Sequence, residues 1–203
     1  ASKLDMQAIY DLVGDRLRGI FDPQKMFIAT LDHTTETIHY QYLFENGKRL
    51  YANPSSFNEF TRHQIQIHQL VVINDDFAQR SEQLGMTLVP GTQMPKSGVF
   101  VPLVVGDVVR GIVYLANHER EHAFSDSDVR LLETLANSMS VALQNAQSFK
   151  AEQERVAELA IINSVQAALA AKLDMQAIYE VVGDKIQEIF DAQVVDICIY
   201  DPT

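Results

Sequence analysis

The 203-residue chain is poor in several features that mark particular protein classes. It has a single cysteine, Cys198, and no tryptophan. One cysteine excludes an intrachain disulfide and a zinc site built from several thiolates. The net charge is −11 and no run of lysine and arginine occurs, so we expect no nucleic-acid partner and no membrane partner. No apolar run approaches the roughly 20 residues of a membrane span and no signal peptide is visible, which predicts a cytoplasmic protein.

Helix-breaking residues are absent from a long stretch, since neither glycine nor proline occurs between Gly111 and Gly183. The segment 125–171 is therefore predicted to form one linker helix, roughly 68 Å long at 1.5 Å per residue. Apolar residues recur along it at spacings of three and four, which predicts a seam that packs on its own sheet over the first half and joins two protomers of a homodimer. The seam comprises Leu132, Leu135, Met139, Ala142, Ala146, Phe149, Val156, Leu159, Ile162 and Leu169.

The sequence "HEREH" at 118–122 has the H-E-x-x-H pattern, in which His118 and His122 would hold zinc and Glu119 would act as a general base. That pattern requires a helix. The next residues, "FSDSDV", predict a helix that starts only at Ser125, with Asp128 in a capping box. HEREH is thus predicted to be a solvated loop, and a zinc metalloenzyme is a remote alternative.

The beginning of the chain occurs twice. "KLDMQAIYDLVGDRLRGIFD" (3–22) returns as "KLDMQAIYEVVGDKIQEIFD" (172–191), and 17 of 31 positions are identical between 2–32 and 171–201. Each copy is followed by an apolar segment that predicts a strand. We interpret 172–203 as the truncated start of a second repeat, whose helix could compete for the place of the first.

Between these ends, periodicity and turn residues predict an alternation of helices and strands. The predicted helices are 4–20, 55–69 (capped by serine) and 76–84. The predicted strands are 26–31, 38–44, 49–53, 70–75 and a hairpin over 99–117 that turns at Gly106-Asp107.

The segments "VPGTQMPKSGVFVPLVVGDVVRGIVYL" (89–115) and "AFSDSDVRLLETLANSMSVALQNA" (123–146) resemble GAF domains of bacterial tandem-GAF signalling proteins, such as sensor kinases and nucleotide cyclases. The resemblance implies an α+β fold over 1–150, in which an antiparallel sheet of about six strands has helices on both faces and a long C-terminal connecting helix. It also implies terminal helices on one face and a ligand pocket on the other.

Three relatives of known chemistry provide further expectations. Cyclic-nucleotide-binding relatives carry Asn-Lys…Phe-x-x-x-Asp-Glu; Asn117, Phe124 and Asp128 match this signature, whereas His118 and Val129 depart from it. Bilin-attaching relatives use a pocket cysteine, and the free methionine sulfoxide reductases use catalytic cysteines. The departures at His118 and Val129 argue against cyclic-nucleotide binding. The 1–150 module has no cysteine, so neither bilin attachment nor the reductase chemistry is expected.

The resemblance places a pocket wall along the strand at 70–75, the segment 76–98 and the start of the hairpin. Lys96 and Ser97 could offer a charge and a hydroxyl to an anionic or carbonyl group, and Arg62 is a second candidate anion contact. Tyr42 and Phe100 are predicted to line an apolar floor. The candidate ligand-binding residues are Tyr42, Arg62, Asn74, Asp75, Thr92, Lys96, Ser97 and Phe100.

No nucleophile, base and orienting group occur in a recognisable set, so no catalytic residue, metal site or cofactor is predicted. The sequence favours a regulatory sensory module that binds an unidentified small molecule and signals through a dimeric linker helix to a downstream output domain. The alternative is a ligand-free dimerisation or spacer module.

Overall fold

The computed structural model of the protein describes residues 6–86, 93–170 and 175–200, with only the backbone described at 168–170 and 175–176. Elements are numbered in chain order. The helices are α1 (Met6–Phe21), α2 (Glu59–Ile67), α3 (Phe77–Gln83), α4 (Asp126–Ala170) and α5 (Met175–Phe190). The strands are β1 (Lys25–Asp32), β2 (Thr37–Glu45), β3 (Lys48–Leu50), β4 (Ser55–Ser56), β5 (Val71–Ile73), β6 (Ser97–Val105) and β7 (Val108–Asn117).

The strands form one antiparallel sheet in the order β3-β2-β1-β7-β6-β5, with β4 paired to β2. The hairpin of β6 and β7 turns at Gly106, whose φ of +61° suits a residue without Cβ. This arrangement, with its long C-terminal helix, confirms the predicted α+β fold.

Helices cover both faces of the sheet because its strands are apolar on both faces. On one face, Tyr10 and Leu17 of α1 and Leu132 and Met139 of α4 pack with the sheet residues Met26, Ile28, Val99 and Leu115. On the other face, Phe60 of α2 and Phe77 of α3 pack with Ala29, Phe100 and Tyr114. We call these the α1/α4 face and the α2/α3 face.

An extra residue in β2 decides which side chains point to which face. Ile28 pairs with Tyr42 and the next β1 residue, Ala29, pairs with Tyr40, so Gln41 has no partner and forms a bulge. A bulge reverses the alternation of side chains along a strand. Tyr40 therefore faces α2 and α3, whereas Tyr42, two residues later, faces α1. The carbonyl of Gln41 accepts hydrogen bonds from the side chains of Gln7 and Arg49.

The start of α4 has the predicted capping box. The Asp128 backbone N–H donates to Ser125 Oγ at 3.2 Å, and the Ser125 N–H donates to Asp128 Oδ2 at 2.9 Å. The Ser125 hydroxyl, which donates to Asp128 Oδ2 at 2.7 Å, and the Ser125 N–H lower the pKa of Asp128. Phe124 and Val129 pack together in the α1/α4 core. The predicted boundary of the helix at 125 or 126 is confirmed.

The predicted seam of α4 has two parts with different environments. Leu132, Met139 and Ala146 are buried in their own unit, which agrees with packing of the first half of the helix on its own sheet. Leu135 and Ala142 are partly buried. Farther along, Phe149, Val156, Leu159 and Ile162 are exposed; the side chain of Leu169 lies outside the described residues. Within the described ranges, no helix combines the length and apolar character that crossing a bilayer requires.

The chain divides into two compact units, Ala1–Ala146 and Gln147–Thr203. The second unit contains the end of α4 and α5, which has the sequence of α1 with substitutions. The strand predicted after the second copy is not formed, because residues 193–200 have no ladder partner within the described part of the unit. A strand needs a neighbouring strand for its backbone hydrogen bonds.

Two sequence predictions near α2 are corrected by the structure. Ser55 and Ser56 form β4, and the helix is capped instead by Asn58, whose Oδ1 accepts from the Thr61 backbone N–H at 2.8 Å. The predicted strand at 49–53 is limited to β3.

Gln64 on α2 is fully buried, and neither its amide nitrogen nor its amide oxygen has a hydrogen-bond partner among the residues that the structure describes. A buried polar group without a partner carries a desolvation penalty of about 1–3 kcal/mol. We expect Gln64→Met, which keeps the length of the side chain, to raise the free energy of unfolding in urea by about 2 kcal/mol. Gln66→Met on the exposed side of α2 is the control, and a loss of stability in Gln64→Met would contradict the prediction.

Candidate functional site

A cavity of about 410 Å³ lies on the α2/α3 face. Five of its aromatic rings form a continuous series. The ring of Phe27 meets Tyr40 edge-on at 5.4 Å and lies 5.1 Å from Tyr114. Phe100 stacks on Tyr114 at 4.3 Å and meets Phe60 at 4.6 Å between ring centroids. The arrangement presents flat apolar surfaces and suits a molecule that is itself flat.

Residues of β1, β2, β6 and β7 form the floor, and the opposite wall comes from α2, α3 and the segments beside them. The lining residues are Lys25, Phe27, Ala29, Ile38, Tyr40, Leu43, Glu45, Ala52, Asn53, Ser55, Asn58, Phe60, Thr61, Phe77, Met86, Gln93, Pro95, Phe100, Ile112 and Tyr114.

The hydroxyl groups that line the cavity differ in whether they have hydrogen-bond partners within the protein. Tyr40 and Ser55 share a hydrogen bond of 3.1 Å, and Thr61 donates to Asn58 Oδ1 at 2.8 Å. Tyr114 is 6% exposed, and its hydroxyl has no hydrogen-bond partner within the described ranges. Burial, with a smaller effect of the nearby Glu45 carboxylate, raises the pKa of Tyr114. This phenol therefore stays protonated and can donate to a ligand.

A charged pair stands at one end of the lining. Lys25 Nζ donates to Glu45 Oε1 at 3.1 Å, and both side chains are largely shielded. His118 lies close to this pair and is 6% exposed, and neither of its ring nitrogens has a hydrogen-bond partner in the described part of the chain. Burial is the main cause that lowers the pKa of His118, and Lys25 adds to this while Glu45 opposes it. The folded protein therefore favours the neutral form of the imidazole.

The depressed pKa of His118 predicts a dependence of stability on pH. In the unfolded chain a histidine takes up its proton below about pH 6.5, whereas the folded protein resists protonation. The contribution of His118 to the free energy of unfolding is then fully present above about pH 6.5. It is lost as the pH falls below this value, by at most about 1.4 kcal/mol per pH unit for one proton. We expect His118→Leu to remove this component in urea titrations between pH 5 and pH 8. Identical pH profiles for the two proteins would contradict it.

Among the seven candidate ligand-binding residues that the structure describes, Phe100 alone is part of the cavity lining. Tyr42 was predicted to share the floor but lies on the opposite face, because the bulge at Gln41 reverses the alternation of β2. Its hydroxyl donates to Asp15 at 2.8 Å and the Arg49 guanidinium lies 3.6 Å from its ring centroid. Burial and the bond to Asp15 raise the pKa of Tyr42 to about 12.

Three other candidates make contacts within the protein. The side chain of Arg62 forms two bonds of 2.7 Å with Glu36. The amide of Asn74 donates to the Phe124 carbonyl at 2.7 Å, and its oxygen accepts from the Phe124 N–H. Asp75 pairs with Arg80 at 2.6 Å. These residues therefore hold loops and helices in place and do not line the cavity.

The remaining candidates lie before and at the start of β6. Lys96 is exposed, and its backbone N–H donates to the Asn117 carbonyl. Ser97 is fully buried and donates to the Arg120 carbonyl at 2.9 Å. Neither lines the cavity. Thr92 lies outside the described residues.

The HEREH segment is a loop, as predicted. His118 is buried, whereas Glu119 and His122 are exposed. The His122 N–H donates to the Asn74 carbonyl. Across the ranges that the structure describes, no three His, Cys, Asp or Glu side chains are grouped as a metal site.

The residues that match the cyclic-nucleotide signature have structural roles here. Asn117 Oδ1 accepts from the backbone N–H groups of Glu119 and Arg120. Phe124 lies in the α1/α4 core and Asp128 belongs to the capping box. None of the three lines the cavity.

Most of the lining could not be identified from hydropathy because β1, β6 and β7 are apolar on both faces. Phe27 and Ala29 face the cavity and their neighbours Met26 and Ile28 face α1 and α4, yet all four are apolar. One pair of lining residues carried a signal in the sequence. Lys25 of β1 and Glu45 of β2 have opposite charges, and such residues form cross-strand pairs when their strands are neighbours, as these are.

Solved structures with the same fold are found at low sequence identity. Residues 122–287 of a methyl-accepting chemotaxis protein give a TM-score of 0.62 at 17% identity, covering 72% of this chain and 93% of that one. The GAF domain of PixJ from Thermosynechococcus elongatus, in its blue-light-absorbing form, gives 0.59 at 12% identity, covering 76% and 94%. The type II free methionine-R-sulfoxide reductase of Thermoplasma acidophilum gives 0.55 at 12% identity, covering 70% and 94%.

No curated protein matches the chain. The family model described as "GAF domain" matches residues 3–144, which include the sheet, α1, α2, α3, the cavity and the start of α4. On this match, the chain belongs to the GAF domain family, whose members are mainly sensory and regulatory modules of signalling proteins.

Proposed function

We propose that the chain is a non-enzymatic sensory module of a cytoplasmic signalling protein that binds a small, flat molecule in the cavity on the α2/α3 face. The carrying observation is the cavity itself, which at about 410 Å³ is within the usual range for small-molecule sites. Its rings offer stacking surfaces, and the Tyr114 hydroxyl offers a hydrogen-bond donor. Because Lys25 and Glu45 neutralise each other, the site favours a ligand of low net charge.

A chain of contacts leads from the cavity to the start of α4. Phe77 of α3 lines the cavity, and Asn74 precedes that helix by three residues. Asn74 binds both backbone polar groups of Phe124, two residues before α4 begins. A ligand that shifts α3 would thereby alter the first turn of α4. Such a ligand acts as a signal only if it binds two arrangements of α4 with different affinity.

The proposal includes a homodimer through the terminal helices. Phe149, Val156, Leu159 and Ile162 are exposed on the second half of α4, and burying them against a second protomer would remove apolar surface from water. The dimeric helix would pass its change in packing to an output domain of the full-length protein.

A ligand-free dimerisation or spacer module is the alternative class. It has the same α4 surface but leaves the cavity without an occupant. A metalloenzyme using His118, Glu119 and His122 has little support, because the first histidine is buried and the other two residues are exposed.

The proposal is tested by native mass spectrometry and by binding of indole and adenine as flat, uncharged probes. We expect a dimer that carries a small organic adduct, or whose unfolding temperature rises with a probe. Ala29→Leu adds bulk to the cavity floor and should abolish adduct and shift. Ala151→Leu on the exposed surface of α4 is the matched control.

A dimer with no adduct and no response to either probe would favour the spacer. A monomer would contradict the dimeric linker, and one zinc ion per chain would support the metalloenzyme.

A further inference from the structure

We propose that the end of the cavity at Lys25 and Glu45 binds the charged head group of a free aromatic α-amino acid, whose flat side chain lies against the aromatic rings. This inference rests on the proposed function, because it names the class of molecule that occupies the same cavity. It also gives the charged pair a role in recognition that the aromatic surfaces do not explain.

The charged side chains of the described lining are confined to one end of the cavity, where Lys25 and Glu45 stand. The two residues are partners in the ladder of β1 and β2, so their side chains share one face of the sheet. Lys25 Nζ lies 3.1 Å from Glu45 Oε1, and the side chains are 18% and 19% exposed. Phe27 and Ala29 follow Lys25 at alternate positions of β1 and line the same cavity. The ion pair and the rings therefore belong to one surface.

The ion pair keeps unused hydrogen-bonding capacity. Lys25 Nζ donates to Glu45 Oε1, although an ammonium group has further N–H donors. Within the described ranges, Glu45 Oε2 accepts no hydrogen bond. Two charged groups that are largely shielded from water need additional partners to offset their desolvation. A ligand in the cavity would provide these partners on both sides of the pair.

A zwitterion complements both charges of the pair at once. Its carboxylate accepts from Lys25 and its ammonium donates to Glu45, so that positive and negative groups alternate. A carboxylate alone would add a negative charge beside Glu45, and an ammonium alone would add a positive charge beside Lys25, and like charges repel each other. In an α-amino acid one carbon joins the two groups, which suits partners that are 3.1 Å apart. The pair therefore selects a head group that carries both charges.

The ionisable groups beside the pair leave this balance unchanged. Lys48 is in register with Glu45 on the other side of β2, but it is exposed and does not line the cavity. His118 is buried beside the pair, where burial and then Lys25 lower its pKa while Glu45 opposes the change. The imidazole is therefore uncharged at about pH 7.5. The head group meets one positive and one negative residue.

Tyr114 joins the charged end of the cavity to its aromatic surface. It pairs with Phe27 on β1, and Ala116, two residues farther along β7, pairs with Lys25. Tyr114 and Lys25 are thus diagonal neighbours on one face. The Tyr114 hydroxyl, which has no hydrogen-bond partner in the described part of the chain, can donate to the ligand carboxylate. Its ring stacks on Phe100 at 4.3 Å, and the side chain of the ligand extends along these rings.

The test compares four ligands that share the indole ring and differ in charge. They are L-tryptophan, indole-3-propionate, tryptamine and indole. Dissociation constants are measured by isothermal titration calorimetry at about pH 7.5, where the amino and carboxyl groups are ionised. We expect tryptophan to bind about tenfold more tightly than each of the other three, because only tryptophan forms charge-assisted bonds with both residues and adds no like charge.

Two substitutions remove one charge each and should act in opposite directions on the singly charged ligands. Glu45→Gln should weaken tryptophan and strengthen indole-3-propionate about threefold, because Lys25 then meets the carboxylate without a competing anion. Lys25→Gln should weaken tryptophan and strengthen tryptamine to a similar extent. A pair with only a structural role would instead weaken all four ligands together. Arg110→Gln and Asp107→Asn, both exposed and outside the cavity lining, are the matched controls and should leave the four dissociation constants unchanged.

The charge-reversed protein, with Lys25→Glu and Glu45→Lys, keeps the cross-strand ion pair and guards against loss of the fold in the single variants. It should again bind tryptophan more tightly than the three analogues. If indole binds the wild type and tryptophan binds no more tightly than the analogues, the inference is overturned and the proposed function stands. If none of the four ligands binds, the proposed function is contradicted, and the inference with it.

Discussion

Gly111→Ala is expected to lower the free energy of unfolding of the first unit by about 3 kcal/mol or more, at the upper end of overpacking costs. A Cβ at Gly111 would lie 2.4 Å from the backbone oxygen of Ala29 and 3.1 Å from Leu103 Cδ1. The first of these atoms belongs to β1, which pairs with β7 at this point. It cannot yield as a flexible side chain could, so the two central strands must separate locally.

The measurement is urea unfolding followed by circular dichroism, and the neighbouring Arg110→Ala is the control. Arg110 is exposed on the same strand, so its replacement should change stability by less than about 0.5 kcal/mol. A Gly111→Ala protein as stable as the control would show that β1 and β7 do not approach as closely as the structure describes.

Phe100→Ala is expected to cost about 3 kcal/mol of stability, the lower end of the range for a buried phenylalanine. The ring is 7% exposed; it stacks on Tyr114 at a centroid distance of 4.3 Å and meets Phe60 edge-on at 4.6 Å. Its removal loses both ring contacts and enlarges the existing cavity. We place the cost at the lower end because the new void joins a space that is already present.

Benzene provides a second measurement on the same variant. An apolar cavity of the right size binds it, and binding to the folded state raises the unfolding temperature. The rise should be larger for Phe100→Ala than for the wild type. Phe149→Ala, at a site 49% exposed, is the control and should respond to benzene as the wild type does. An equal loss of stability in the two variants would contradict a central role for the ring.

The elements whose signals are local could be predicted from the amino-acid sequence. The capping box of Ser125 and Asp128 and the absence of glycine and proline gave the start and the continuity of α4, because both depend on neighbouring residues alone. The turn at Gly106 was predictable for the same reason. The cap at Ser125 also identified HEREH as a loop.

Which residues line the cavity depends on the tertiary structure. The bulge at Gln41 comes from the register of β2 against β1, and it moves Tyr42 away from the cavity while Tyr40 remains in it. Hydropathy could not separate Phe27 from Met26, since both faces of the sheet are covered by helices. Similarly, Leu132 and Phe149 belong to one apolar pattern along α4. Leu132 lies where α4 packs on the sheet and is a core residue, whereas Phe149 lies beyond that contact and is exposed. Local sequence patterns specify helices and strands. The face of the sheet to which each side chain points depends on pairing with strands that are distant in sequence.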